Sequence, residues 1–320
     1  MSSLVPKRVL ITGATSCSGG HLIASLRNRE KYTLIASSRS AEIPDGLAQY
    51  RDLAWIQIDF GNKQVAEDAI HKIRPDIVVH LAGCSDATRP SEMINMNIAG
   101  TWNLLSACES LAKPVSVLLV GSAASFGPMR DGETSLGSSR PAVPASLYGQ
   151  TRQTSLELGR LVDGKQGVRV FLCRTFNLIG PGLATRYVPA ALVHRIRDAW
   201  ARGEKQIAIR DLDSVRDFID VRDAAAAYLA IIERGRSDCP YSVGRGKGVT
   251  IGELAEGIVR ALRIDMNIVP DHGCKVNPRS GISRSIADPS DLVADTGWTP
   301  QISLEASIQD MLASQLASSL

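Results

Sequence analysis

Three residues of this 320-residue chain have the types and spacing to move a proton on or off a carbonyl oxygen: Ser122, Tyr148 and Arg152. Tyr148 opens a helical stretch in SLYGQTR, and Arg152 follows four positions later on the same helix face. A cation there would stabilise a phenolate and could also hold the ribose of a bound coenzyme. Ser122 closes an apolar strand in LLVGSAASFG, where its hydroxyl can hydrogen-bond the same oxygen and hold it in line. Hydride transfer to a ketone leaves an alkoxide that needs a proton, and the reverse direction needs a base; a phenol of depressed pKa serves both. A lone tyrosine at a helix start is more often a packing residue. The rest of the sequence gives this one its context.

Upstream, ITGATSCSGGHLIASL places Gly13, Ser16, Cys17, Ser18 and Gly19 between the first strand and the first helix. A dinucleotide pyrophosphate asks for such a tight turn, with close backbone approach and helix N–H groups aimed at the anion. Ser16 stands at the middle position where glycine is usual, so a positive φ there would strain the turn and lower cofactor affinity. Cys17 reads as a small packing residue inside this turn. The second strand ends IASSRS, with Ser37, Ser38 and Arg39 and no acid for a ribose 2′-hydroxyl. A guanidinium with hydroxyls suits a 2′-phosphate, which favours NADP(H) over NAD(H).

These pieces need strands to position them. Strands are expected at Arg8–Thr12, Thr33–Ser37, Trp55–Asp59, Asp76–Leu81, Val115–Gly121 and Val168–Arg174, with helices starting near Gly19, Lys63, Ser91 and Ser146. The alternation predicts an α/β fold with a doubly wound, Rossmann-type parallel sheet over residues 1–175. After Thr175 the pattern weakens into Gly/Pro-containing connections, predicting a smaller mixed α/β substrate lobe over 176–320, some of whose segments return to the sheet.

The bulk properties exclude several classes. With 36 basic and 33 acidic residues and no basic run, the chain does not read as nucleic-acid-binding. Its six cysteines are irregularly spaced, without a metal-ligand pattern, and read as reduced. The amino terminus lacks an apolar signal core, and no run of about 18 apolar residues occurs, so a cytoplasmic protein without a membrane span is expected.

The ordered set TGATSCSG, HLAG, NIAGTWNLL with Asn97, GSAASFG, YGQTR, RTFNLIGPG, VRDFIDVRD and DTGWTP resembles the extended short-chain dehydrogenase/reductase family over nearly the whole chain. Within it, RDLDSVRDFIDVRDAAAAY and ADPSDLVADTGWTPQISLEASI are most similar to the 4-ketoreductases of nucleotide-linked 4-keto-6-deoxy sugars, the GDP-mannose-derived ones in particular. The resemblance implies that Asp59 and Phe60 flank adenine, that Leu81 and Ala82 line the cofactor groove, and that Asn177, Arg216 and Arg279 contact a nucleotide-sugar diphosphate. It also implies a homodimer built through two helices per subunit. The competing readings are surface or inter-lobe salt bridges for Arg216, where the diphosphate role is preferred, and for Arg279, where the two weigh the same, and a buried amide fixing a loop for Asn177. His80 falls at a structural or cofactor-lining position and does not read as a catalytic base.

Two departures stand out. The lysine expected after the tyrosine is Arg152, which keeps the charge but cannot give up a proton. Ala123 and Ala124 follow Ser122 where dehydratases carry an acid, which disfavours dehydration. The reading is therefore NADPH-dependent reduction of a 4-keto sugar. The alternatives are an NAD(P)-dependent nucleotide-sugar epimerase and a weakly catalytic NADP-binding sensor.

Overall fold

A computed structural model of the protein describes residues 5–271 and 283–317. The first half runs β1 (Lys7–Thr12), α1 (Cys17–Leu26), β2 (Tyr32–Ser38), β3 (Ala54–Gln57), α2 (Lys63–Ile73), β4 (Ile77–His80), α3 (Pro90–Ile94), a π-helical turn (Asn95–Ala99), α4 (Gly100–Glu109), β5 (Val115–Ser122), α5 (Leu147–Val162) and β6 (Val168–Thr175). The second half continues β7 (Asn177–Ile179), α6 (Val188–Ala201), β8 (Gln206–Ile209), β9 (Val215–Asp220), α7 (Val221–Arg234), β10 (Pro240–Val243), β11 (Gly248–Thr250), α8 (Ile251–Leu262), β12 (Asn267–Pro270), β13 (Arg284–Ser285), α9 (Ser290–Thr296) and α10 (Leu304–Ala317).

Seven parallel strands form the main sheet in the order β10-β6-β5-β4-β1-β2-β3. Both of its faces are covered, which is why strands such as KRVLIT and VRVFLCRT carry apolar runs rather than strict alternation. One face packs against Leu22, Ile23 and Leu26 of α1 and the Ala224–Ile231 stretch of α7. The other packs against Ala66 and Ile70 of α2, Leu104 and Leu105 of α4, and Leu156 of α5. This is the doubly wound arrangement that the sequence pattern predicts. The third strand ends two residues before Asp59, and the expected helix at Ser91 is interrupted by the π-turn.

After Thr175 the chain builds a second core from α6, α8 and α10, centred on Val193, Ile196, Leu254, Ile258 and Met311. It also returns to the first sheet, since β10 pairs with β6 (Tyr241 opposite Cys173) and α7 and α9 pack on that sheet. Strand β9 is the hub of the lobe, antiparallel to β11 and parallel to β7 and β13. Buried carboxylates pin it: Asp217 accepts from the amides of Arg245, Gly246 and Ala287 at 2.9, 2.8 and 3.2 Å, and Asp220 accepts from the Ser307 hydroxyl on α10 at 2.7 Å.

Candidate active site

The chain order reverses across the sheet between β1 and β4, and a crevice opens at their carboxyl ends, as such folds require. Its first part is the turn after β1. Gly13 takes a positive φ of 63°, and a side chain there would lie 2.7 Å from the Ala82 amide nitrogen. Ser16 caps α1, its Oγ accepting from the Gly19 amide at 3.1 Å. Ser16 has φ −71° and ψ 160°, an extended conformation open to any residue, so the strain expected from replacing glycine is absent. Its hydroxyl proton remains available to an anion at the helix mouth. Ser18 faces the crevice, whereas Cys17 turns toward the second lobe and donates to the Pro181 carbonyl at 3.4 Å. Burial pushes that thiol up to about 12, so it stays protonated.

From this turn a groove of about 400 Å³ runs to the end of β2, lined by Gly13, Ser37, Ser38, Arg39, Phe60, Leu81 and Ala82 among others. The buried Ser37 hydroxyl finds no hydrogen-bond partner among the described residues. That orphaned donor at the end of β2 fits a dinucleotide with a polar group to satisfy it. Ser38 donates to the Ser40 carbonyl. Phe60 is buried edge-on to His80 with ring centroids 5.8 Å apart, while Asp59 is exposed and its carboxylate accepts from the Gly61 amide at 2.9 Å. Arg39 lines the groove, and its guanidinium pairs with Glu92 at 2.5 Å.

The groove continues into a cleft of about 380 Å³ that brings together Ser122, Tyr148, Arg152, Asn177 and Arg216. Gly149 explains how α5 reaches the end of β5: a side chain there would fall 2.3 Å from the Ala124 carbonyl oxygen, so only glycine lets the helix start come this close. Ser146 caps the helix by accepting from the Gly149 amide at 3.1 Å. Ser122 Oγ accepts from the Ala124 amide at 3.2 Å, which leaves its O–H free to donate into the cleft. The Arg152 guanidinium carbon lies 5.5 Å from the centre of the Tyr148 ring, and its buried Nε has no partner among the described residues. Asn177 Nδ2 donates to the Asp217 carbonyl at 3.2 Å, and Arg216 Nη1 to the Val215 carbonyl at 2.9 Å. Arg279 lies outside the described residues.

Asn97, noted in the sequence only as a motif member, is a buried clamp. Its side chain accepts from the Cys84 amide (2.8 Å) and donates to the Cys84 carbonyl (2.9 Å) and the Thr151 hydroxyl (3.0 Å), joining the segment after β4 to α5. Sequence reasoning missed Arg186, which lines both parts of the groove, and Tyr228, whose hydroxyl meets Thr175 at 2.9 Å in the cleft wall. Burial drives the Tyr228 phenol far above its ordinary pKa, so it is no rival to Tyr148 as an acid. Tyr228 sits in an alanine-rich helix and reads as core; Arg186 sits in a loop without a motif. The described residues lining the two parts include four arginines (39, 152, 186 and 216) and no carboxylate. No group of three or more metal-ligating side chains occurs among the described residues, and no helix there is long and apolar enough to cross a membrane.

Residues 9–244 match the model of the NAD dependent epimerase/dehydratase family. The chain belongs to this family. A GDP-6-deoxy-D-mannose reductase of Pseudomonas aeruginosa is 28% identical over 245 residues, 75% of this chain and 80% of the relative. A dTDP-6-deoxy-L-talose 4-dehydrogenase (NAD(P)(+)) of Kitasatospora kifunensis is 25% identical over 97% of this chain and 96% of its own. Among solved structures, RMD from P. aeruginosa complexed with NADPH superposes with a TM-score of 0.82 at 24% identity, covering 98% of this chain and 99% of that one. A Thermus thermophilus UDP-glucose 4-epimerase complexed with NAD gives 0.81 at 22% identity, covering 96% and 98%. The fold is thus shared by proteins that hold either dinucleotide.

Proposed function

We propose that this member of the family is an NADPH-dependent reductase of the 4-keto group of a nucleotide diphosphate 4-keto-6-deoxy sugar. The observation that carries the reading is a cleft holding Ser122, Tyr148 and three arginines with no carboxylate among its described lining residues. Removing a sugar C–H proton and expelling a hydroxyl needs a carboxylate base or acid, and the residues after Ser122 are Ala123 and Ala124. Protonating an alkoxide needs only the phenol.

In this reading the dinucleotide, held by the Gly13–Gly19 turn and the Ser37–Arg39 strand end, supplies the hydride. Tyr148 donates its proton to the carbonyl oxygen as charge develops there, and the Ser122 hydroxyl donates a hydrogen bond to the same atom. Arg152 stabilises the phenolate left behind; because a guanidinium keeps its proton, solvent restores the tyrosine. Arg216 and Asn177 take the substrate diphosphate, Arg216 through charge-assisted bonds. The GDP-linked substrate is favoured by the Pseudomonas relative, and the absence of an acid at the end of β2 favours NADPH. A cytoplasmic homodimer belongs to the same reading, with exposed Trp102 on α4 and Leu161 on α5 offering the apolar contact.

The test is NADPH oxidation with GDP-4-keto-6-deoxy-mannose beside the dTDP- and UDP-linked 4-keto sugars, comparing wild type with Tyr148→Phe. Loss of a general acid should lower kcat by roughly 10²–10⁴ without abolishing NADPH binding. Turnover unaffected by the substitution, or interconversion of epimers without net NADPH consumption, overturns it.

A further inference from the structure

At the rim of the ribose end of the groove, four charged side chains form a chain of ion pairs. Arg39 Nη1 meets Glu92 Oε1 at 2.5 Å, Arg89 Nη1 meets Glu92 Oε2 at 2.6 Å, and Arg89 Nε meets Asp86 Oδ2 at 3.0 Å. Two positive and two negative groups leave the cluster formally neutral. Glu92 lies four residues before Met96, which lines the groove, and holds the Arg39 guanidinium, so its carboxylate stands beside the pocket in which Arg39 would meet a 2′-phosphate. The Glu92 side chain is only 22% exposed, and both of its oxygens are engaged.

We propose that Glu92 is a specificity-determining residue for the coenzyme, an internal anion that occupies the guanidinium a 2′-phosphate would take. This rests on reading the groove as a dinucleotide site with Arg39 as its phosphate ligand. A phosphorylated coenzyme must share or break the Arg39–Glu92 pair and brings two further negative charges toward Glu92. An unphosphorylated coenzyme leaves the pair intact, and its 2′-hydroxyl meets an acceptor that the end of β2 does not provide. Glu92 therefore narrows the preference for NADPH that the end of β2 favours and lets NADH compete.

Dissociation constants for NADPH and NADH, measured by titration of nucleotide fluorescence at low salt, test this on Glu92→Gln and Arg39→Ala. Glu92→Gln should tighten NADPH roughly fivefold, the size of one screened charge contact, leave NADH unchanged or weaker, and lose most of this gain at high salt. An unchanged NADPH/NADH ratio, or weaker NADPH binding because Glu92 merely orients Arg39, sinks the proposal. Arg39→Ala separates the two levels. If it weakens NADPH alone while Glu92→Gln has no effect, the phosphate role of Arg39 stands and the role of Glu92 falls. If Arg39→Ala leaves both coenzymes unaffected, the 2′-phosphate reading falls and takes the proposal with it. Far-UV circular dichroism serves as the control for folding in both variants.

Discussion

The Arg152 guanidinium is wider than an ammonium, and Gly83 gives it room. A side chain at position 83 would lie 2.4 Å from Arg152 Nη2 and 2.6 Å from Asn97 Oδ1, too close for either to remain in place. Gly83 and Arg152 are thus sterically matched. Gly83→Ala should lower kcat by about tenfold or more by displacing the cation beside Tyr148, since sub-ångström placement governs such sites. Adding Arg152→Lys to Gly83→Ala should restore part of that loss, because the slimmer side chain tolerates the methyl group. Steady-state kinetics of the two single variants and the double decide it; a double variant no better than Gly83→Ala would rule out the steric match. Ser16 makes a complementary point. Its identity suggested a strained turn, yet its φ of −71° shows a cap that serine adopts without strain, so the sequence misjudged the conformation rather than the location.

His80 joins several elements. At the end of β4 it contacts the Thr12 hydroxyl of β1 through Nδ1 at 2.9 Å and lies 3.4 Å from the Thr101 hydroxyl of α4 through Nε2. Burial, reinforced by the Arg152 charge, pushes its pKa down to about 3 from an ordinary 6.5, so the folded protein holds it neutral. Between those values the unfolded chain binds the extra proton and the folded one does not. Stability from this group is therefore complete above pH 6.5 and is lost progressively as pH falls toward 3, at up to about 1.4 kcal/mol per pH unit. Chemical denaturation at pH 4.5 and pH 7.5 should show a smaller pH dependence in His80→Gln than in wild type, even though the variant is less stable throughout; equal slopes would count against a neutral buried imidazole. The elements themselves were legible to different degrees. The six expected strands were visible as β-branched runs between helical patterns, and Tyr148 and Arg152 as a pair at helical spacing. The π-turn was not, because nothing in MINMNIAG departs from helical periodicity; it shows in the Gly100 amide, which donates to the Asn95 carbonyl five residues back. Glu92 and Arg186 were hidden for another reason: their relevance comes from neighbours 53 positions away for Glu92, at Arg39, and from a loop folded back beside the turn after β1 for Arg186.

On the scale of the molecule, a net charge of +3 is small, but the groove concentrates four arginines without a carboxylate among its described lining residues. A dinucleotide and a nucleotide diphosphate sugar, both anionic, would be drawn along the same channel. Raising ionic strength from about 0.05 to 0.5 M should raise KM for the sugar nucleotide several-fold with little change in kcat, because the Debye length contracts from roughly 14 to 4 Å. A KM indifferent to salt would show that these charges act only at contact. The return of β10 to the main sheet bears on how the protein is made. Strand β6 is eight residues long and, apart from Arg169, buried, yet its outer partner lies 65 residues beyond its own end, past α6, β7–β9 and α7. A nascent chain that has delivered only its first 175 residues carries β6 as a long apolar edge, open to pairing with another copy. Sheet completion and lobe synthesis are therefore coupled in time, and a fragment cut at the apparent boundary after Thr175 should aggregate rather than fold as a free dinucleotide-binding unit.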